Sequence, residues 1–389
     1  MSWCIGTLQA PRQRSRIGLS TPRPGRLLLC RGLSGALGQE LAASDVPANE
    51  AEWQRMLSLS SAHLVTPWLR RAFQEHGLIS GLPPHVLEFL DAVCTLNLES
   101  NRNYQDQLAH LIQLLNNIGV RPVLLKGAAT LVSELYPTPG DRMIGDIDVL
   151  IRPSKLAGAV EHLCASGYQP VTAEAEYPTA ESLQLHHYPP IYSLDWPAPV
   201  ELHIQPVHLW AGQLLGSEEV VRDATPLHWR GGDCLLPSPT HFMMHNVIHA
   251  YVVDAKERGF LSLRQLFEFA YAGRRYHQQI DWAAIQHRFD CLGYRSALRG
   301  YVLLANACFG VPPALKIGGW SRLRRRLYSI GLEHQSMHLV FSLSSPILRI
   351  MQANARDLAS TRYTIKNLST ARGYMRLYQK VRSSYLSVP

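Results

Sequence analysis

Residues 124–128 read Leu-Leu-Lys-Gly-Ala, and residues 142–151 read Arg-Met-Ile-Gly-Asp-Ile-Asp-Val-Leu-Ile. The second stretch decides the fold. Ile144 to Ile151 reads as a short strand, with Ile144, Ile147, Val149 and Leu150 set around two aspartates. Side chains alternate faces along a strand, so Asp146 and Asp148 are expected to point one way while Ile147 and Val149 point into the core. Two carboxylates on one face repel each other, and a divalent cation relieves that repulsion. Hard cations such as Mg²⁺ take oxygen ligands of this kind. One or two of them can bridge a triphosphate and activate an attacking hydroxyl.

The pattern around this stretch alternates. Val120 to Leu125 reads as a buried strand, Gly127 to Leu135 as a helix and Pro137 to Gly140 as a turn. Ser154 can cap a helix that runs to Ser166 and ends at Gly167. Tyr188 to Ser193 and Val200 to Ile204 read as further strands, which makes 120–205 a small α/β unit. The last strand, Pro199-Val200-Glu201-Leu202-His203-Ile204, carries a third acid, Glu201, with His203 on the same face. Gly127 would let the backbone approach a phosphate, with the following helix N-terminus facing that anion.

Helical periodicity flanks this unit. It runs from Glu50 through Trp53, Met56, Leu57, Leu64, Trp68, Leu69 and Phe73. It breaks at Gly77 and at Gly81-Leu82-Pro83-Pro84. A long pattern from His85 to Asn117 stops at Asn116-Asn117-Ile118-Gly119. Beyond Pro237 the helical period returns over His241–Val253, Leu261–Ala272, Trp282–Phe289 and Ser296–Cys308; a helical tail follows from Trp320. His245 and His249 lie at i, i+4, but Asn246 stands where a zinc protease needs glutamate, so they read as core histidines. Arg264 and Glu268 at i, i+4 read as a helix salt bridge.

Composition narrows the classes. The chain has 389 residues, 46% hydrophobic and 17% charged, enough apolar material to exclude wholesale disorder. No apolar run is long enough to span a bilayer; Met337–Met351 is short and interrupted. Seven scattered cysteines, without a Cys-x-x-Cys pair, argue against a disulfide scaffold and for a reducing, cytoplasmic setting. The net charge of +8 is uneven. Residues 1–39 hold six arginines and no acid, and residues 350–389 hold seven cations and one acid, so each end carries +6 and the body −4. The basic ends can touch nucleic acid, but the body has no basic stripe, so a nucleic-acid acceptor is not favoured. The Arg-, Ser-, Pro- and Gly-rich start reads as a disordered leader, with a transit peptide and a mis-assigned start as alternatives.

Together these residues resemble the family known as uncharacterised nucleotidyltransferases. The likeness spans roughly 85–315. It is carried by Leu-Lys-Gly-Ala at 125–128, Tyr136, Pro139-Gly140, Arg142, Asp-Ile-Asp-Val-Leu at 146–150, His186-His187 and Glu201-Leu202-His203. Pro237, His241, His249, Arg264 and Asp281-Trp282 extend it. The order of Lys-Gly, Arg and Asp-x-Asp is also similar to abortive-infection nucleotidyltransferase toxins. Three features depart from the wider superfamily: Ala128 where Ser or Gly is usual, a long 129–145 spacer, and Glu201 in place of Asp.

The resemblance implies an α+β fold, with a small mixed-sheet nucleotidyltransferase core over 118–236. A leader (1–45), an N-terminal helical region (46–117) and a C-terminal helical domain (237–389) would surround it. It implies that Asp146, Asp148 and Glu201 hold Mg²⁺, as two ions, with Mn²⁺ as a substitute. Glu201 would double as base; Lys126, Gly127, Ala128, Arg142 and His203 would contact an NTP such as ATP. The expected reaction moves an NMP to an acceptor hydroxyl or phosphate of a small metabolite and releases pyrophosphate. Transfer to protein or tRNA, phosphotransfer, and a nucleotide-binding module without turnover are the alternatives.

Overall fold

The computed structural model describes residues 25–171, 185–250 and 261–310. Seven strands form one mixed sheet: β1 (Val123–Leu124), β2 (Ile147–Leu150), β3 (Gln169–Pro170), β4 (Ile191–Tyr192), β5 (Val200–His203), β6 (Thr225–Trp229) and β7 (Gly232–Leu236). Their order is β3-β4-β5-β2-β1-β7-β6. Helices α1 (Gly25–Gly35), α2 (Glu50–Ala62), α3 (Thr66–Glu75) and α4 (Pro84–Asn117) precede the sheet. The short helices α5 (Lys126–Val132), α6 (Leu156–Ala165) and α7 (Ser217–Arg222) are interleaved with it. The helices α8 (Pro239–Val247), α9 (Leu263–Arg275), α10 (Trp282–Cys291) and α11 (Arg295–Phe309) follow it. The class is α+β, as the sequence indicates.

Strand β2 lies at the sheet centre and is buried on both faces. Ile147 and Val149 pack with Leu108, Leu111, Ile112 and Leu115 of α4 and with Leu156, Ala159, Val160 and Leu163 of α6. Leu150 joins the second core, built by the helices. The strand pairs in parallel with β5, in the register Asp148↔Glu201 and Leu150↔His203. That register puts the acids of two chain segments side by side.

Helix α4, 34 residues long, serves both cores. Val86 and Leu90 near its start lie in the helical core. The i, i+3, i+4, i+7 set Leu108, Leu111, Ile112 and Leu115 lies under the sheet. Between them, buried Asn97 and Asn101 turn amides toward the loop that leads into β2. Asn97 donates to the carbonyls of Gly140 (2.6 Å) and Arg142 (3.2 Å), and Asn101 to those of Pro139 and Arg142 (both 2.6 Å). Gln107 holds the approach to β5 by exchanging two bonds with the Ala198 backbone. Arg71 grips Asp141 of the same loop through two bonds of 2.9 Å.

Several expectations are corrected. The leader expected over 1–45 does not extend over 25–45; residues 1–24 lie outside the described residues. Leu28, Leu29, Cys30 and Leu33 of α1 are buried among Met56, Trp68, Leu69 and Phe73. A Cβ at Gly32 would come within 2.7 Å of Leu69, so the glycine permits this close packing. The basic composition hid that apolar stripe, and Arg31 is paired with Asp45 at 3.0 Å. The N-terminal helical region and the C-terminal helical domain share one apolar cluster, in which α1 packs against α11. Ser154 does not cap α6; a 3-10 turn at Pro153–Lys155 precedes that helix. The β6–β7 hairpin was not expected from periodicity. Its turn, Arg230-Gly231, has φ +47° and +83°, and Gly231-Gly232 was the available signal. The tail from Trp320 and the end of the helix expected to Val253 lie outside the described residues.

The loop ahead of β2 depends on α4, so Asn101→Ala should leave the Pro139 carbonyl without its donor and the Arg142 carbonyl with only the longer bond from Asn97. The expected cost is about 2 kcal/mol, read as a fall in Tm with little change in far-UV circular dichroism.

Candidate functional site

The candidate centre forms where β2 and β5 run side by side. Asp148 is fully buried, on the face opposite Ile147 and Val149. Lys126 Nζ lies 2.6 Å from Asp148 Oδ1 and 3.9 Å from Glu201 Oε2. His203 Nε2 lies 2.8 Å from Asp148 Oδ1 and 3.3 Å from Glu201 Oε2. The other ring nitrogen, Nδ1, faces the Gln205 carbonyl at 3.3 Å. Carboxylates and carbonyls only accept, so both nitrogens donate and the ring is an imidazolium. Two acids and two cations thus balance within the centre.

The electrostatics follow from burial and these contacts. Burial alone would raise the Asp148 carboxyl; Lys126 and the His203 hydrogen bond outweigh it and hold the group well below the usual range. Glu201 is lowered in the same way, by His203 against burial. Burial opposes the charge on Lys126 and on His203, but their acids prevail and raise both. Asp146 behaves differently. It is half-buried, and its pKa is raised by burial and by the charge of Asp148.

The chain positions Lys126 at some cost. The strand-to-helix turn gives it φ +43°, a left-handed conformation that disfavours side chains other than glycine. The turn is tied to β2 by the Leu125 N–H donating to the Asp148 carbonyl at 3.0 Å.

The remaining site residues expected from sequence divide in two. Asp148, Glu201 and His203 come together, with ligand atoms all within 4.8 Å of one another; Asp146 stands outside that trio. Lys126 joins the acids instead of remaining available to a phosphate. Arg142 is buried and its Nε lies 2.5 Å from Glu268 Oε2, to which the Tyr136 hydroxyl also donates at 2.9 Å. Its charge is therefore already balanced. Gly127 faces Arg142: a Cβ there would meet Arg142 Nη1 at 2.7 Å and Ile144 Cγ2 at 2.9 Å, so the glycine accommodates the arginine. Ala128 is fully buried in the apolar core under the sheet, and its side chain cannot reach a nucleotide. His203 is fully buried as well and serves the carboxylates. The Arg264–Glu268 helix bridge does not form among the described residues, because Arg142 and Tyr136 take Glu268.

A group of histidines also surrounds the centre; the sequence singled out His186 and His187 as part of the family likeness and His245 as a core residue, and missed His208. His186 stacks on His208 at 4.0 Å, and His187 lies 5.1 Å from the His203 ring. Burial and its histidine neighbours push His186 down to about 2. Buried His245 is also held neutral, well below its ordinary value, chiefly by burial and then by His249. The spacing of His186, His208 and His245 carries no motif that would have grouped them.

The donor set fits a hard divalent cation. Asp148 Oδ2 is buried without a hydrogen-bond partner, and Glu201 offers oxygen beside it. His203 is committed as a donor and orients the acids, as outer partners of metal ligands do.

A family model described as "Uncharacterised nucleotidyltransferase" matches residues 49–310. The chain belongs to that family, which takes in the sheet, α2–α4 and α8–α11. A comparison with curated proteins finds no match. Among solved structures, an antigenic nucleotidyltransferase-like protein from Paracoccidioides brasiliensis aligns at 15% identity, with a TM-score of 0.33, over 51% of this chain and 94% of that one. Family membership supports nucleotidyl transfer as the general chemistry.

The titrations predict a pH profile. His186, His187, His241 and His245 are all lowered from 6.5, so the folded chain binds fewer protons there and stability rises as pH climbs toward 6.5. His203 is raised, so its contribution is full below 6.5 and is lost as pH rises through its folded value. Thermal melts should therefore show a maximum at or just above pH 6.5, and His203→Gln should remove the decline on the alkaline side. An unchanged alkaline limb in that variant would contradict the imidazolium assignment.

Proposed function

We propose that this protein is a Mg²⁺-dependent nucleotidyltransferase that moves an NMP from an NTP to the oxygen of a small-molecule acceptor. The observation that carries the reading is the register of β2 and β5, which sets Asp148 beside Glu201 with one Asp148 oxygen unpartnered. Mg²⁺ held by Asp148 and Glu201 would neutralise charge on the triphosphate and acidify the attacking hydroxyl.

The acceptor oxygen forms a bond to the α-phosphorus. The bond from that phosphorus to the bridging oxygen breaks, and its electron pair leaves with pyrophosphate. Positioning supplies much of the acceleration in such a displacement. His203 already donates to Glu201 and lowers its proton affinity, which suits Glu201 to hold a metal rather than to act as base. Asp146, with its raised proton affinity and no hydrogen bond among the described residues, is the carboxylate left to receive the acceptor's proton. Lys126 and His203 keep Asp148 ionised throughout. A small acceptor is favoured because the body of the chain is acidic. A cytoplasmic setting suits the six cysteines that are free among the described residues. None of the described helices is long and apolar enough to cross a membrane.

Each NTP should be titrated by calorimetry with and without Mg²⁺, against wild type, Glu201→Gln and Asp146→Asn, alongside a pyrophosphate-release assay. One NTP should bind in a metal-dependent way. Glu201→Gln should weaken that binding by about 100-fold, a loss of about 2.7 kcal/mol. Asp146→Asn should suppress pyrophosphate release more than binding. If no NTP binds wild type at millimolar Mg²⁺, the reading is wrong.

A further inference from the structure

We infer that Arg264, on α9, receives the negative charge of the NTP triphosphate and of the departing pyrophosphate. This deepens the function proposed above and rests on it. Besides the His203 imidazolium, three buried or half-buried cations lie near the carboxylates: Lys126, Arg142 and Arg264. Lys126 lies 2.6 Å from Asp148, and Arg142 lies 2.5 Å from Glu268. Both are therefore neutralised within the protein. Arg264 is one helical turn before Glu268 and would ordinarily pair with it. Arg142 and the Tyr136 hydroxyl occupy that carboxylate instead.

Arg264 makes no ion pair among the described residues. Its Nη1 donates to the Met143 carbonyl at 2.8 Å, and its Nε is buried without a partner. Met143 lies in the loop between Arg142 and Asp146, and Asp146 is close enough for its charge to act on the guanidinium. Burial and the charge of Arg142 both disfavour its protonated form, against Glu268 and Asp146.

A buried guanidinium without a counter-ion is expensive, and its cost is offset only when a ligand brings the opposite charge. The planar fork of donors suits phosphate oxygens. Breaking the bond between the α-phosphorus and the bridging oxygen places growing charge on the leaving pyrophosphate, where a fixed cation stabilises the transition state. The Met143 carbonyl aims the guanidinium without neutralising it. Arg264 and the acid pair would then hold opposite ends of one substrate: the metal-binding acids on the transferred phosphate, the arginine on the part that leaves.

The test uses the full chain as wild type, Arg264→Met and Arg264→Lys. Thermal melts of the free proteins come first, followed by binding of the preferred NTP, the matching NMP and inorganic pyrophosphate, all with Mg²⁺. Free Arg264→Met should melt close to wild type, because loss of the bond to the Met143 carbonyl is offset by removal of a largely buried charge that has no ion pair among the described residues. Its affinity for NTP and pyrophosphate should fall by about 10- to 100-fold, as expected for loss of charge-assisted hydrogen bonds. Its affinity for NMP should change by less than about twofold on the same scale. Arg264→Lys should recover part of the NTP-over-NMP preference. An NTP-over-NMP ratio unchanged from wild type in both variants overturns the inference and leaves the proposed function standing. A free Arg264→Met that melts far below wild type, together with an unchanged ratio in Arg264→Lys, assigns the arginine a structural role and also overturns it. Wild type that binds neither NTP nor pyrophosphate removes the proposed function, and this inference with it.

Discussion

A carboxylate buried at the centre of a sheet needs compensation, and Asp148 receives it from two directions. Lys126 approaches from the turn after β1, and His203 from the neighbouring strand β5. Each partner alone would be a costly buried charge; together they make a balanced set whose disruption would strand an ion. The arrangement requires three separate chain segments at once. The left-handed backbone of Lys126, the parallel register of β2 with β5 and the donation from His203 to Gln205 all serve it. The same compensation keeps Asp148 ionised and leaves its second oxygen free, the condition a metal ligand must meet.

The helices do more than cover the sheet. The loop over 137–146 delivers Asp146 and Arg142, and the helical body holds it from several sides. Asn97 and Asn101 of α4 take its carbonyls, Arg71 of α3 takes Asp141, and Glu268 and Arg264 of α9 take Arg142 and Met143. Because α1 to α3 share one core with α8 to α11, the loop is fixed by a single body rather than by two independent flanks. Charge placement follows the same logic. Acids and cations within the centre cancel, while the helical side presents one guanidinium that does not.

Much of this was legible in the residue order. Asp148 could be read as a candidate metal ligand on the face opposite Ile147 and Val149, and Glu201 as its companion from a later apolar strand; that Asp148 is fully buried was not legible. The long helix over 85–117 and the C-terminal helices followed from apolar spacing alone. The roles of Lys126 and Arg142 were not legible, since a cation near a glycine reads equally well as a phosphate ligand or as a salt-bridge partner. Which it becomes depends on acids on other elements: Asp148 for Lys126 and Glu268 for Arg142. The Arg264–Glu268 spacing misled for the same reason, because a local pair lost its acid to two distant donors. Helix α1 escaped notice because a basic, Pro- and Gly-rich surrounding masked the stripe formed by Leu28, Leu29 and Leu33.

Local order therefore determined the elements and the chemical kinds of group available: short apolar strands carrying acids, amphipathic helices on either side, and a family signature shared across them. Periodicity is a property of neighbours in the chain, and it survives without tertiary information. Tertiary structure decided which acid each cation neutralises, which carboxylate oxygen stays free and which guanidinium stays unpaired. Those outcomes depend on distances between segments more than a hundred residues apart, as between Arg142 and Glu268. A buried charge is satisfied by whichever partner the packing brings nearest, and sequence spacing does not encode that distance.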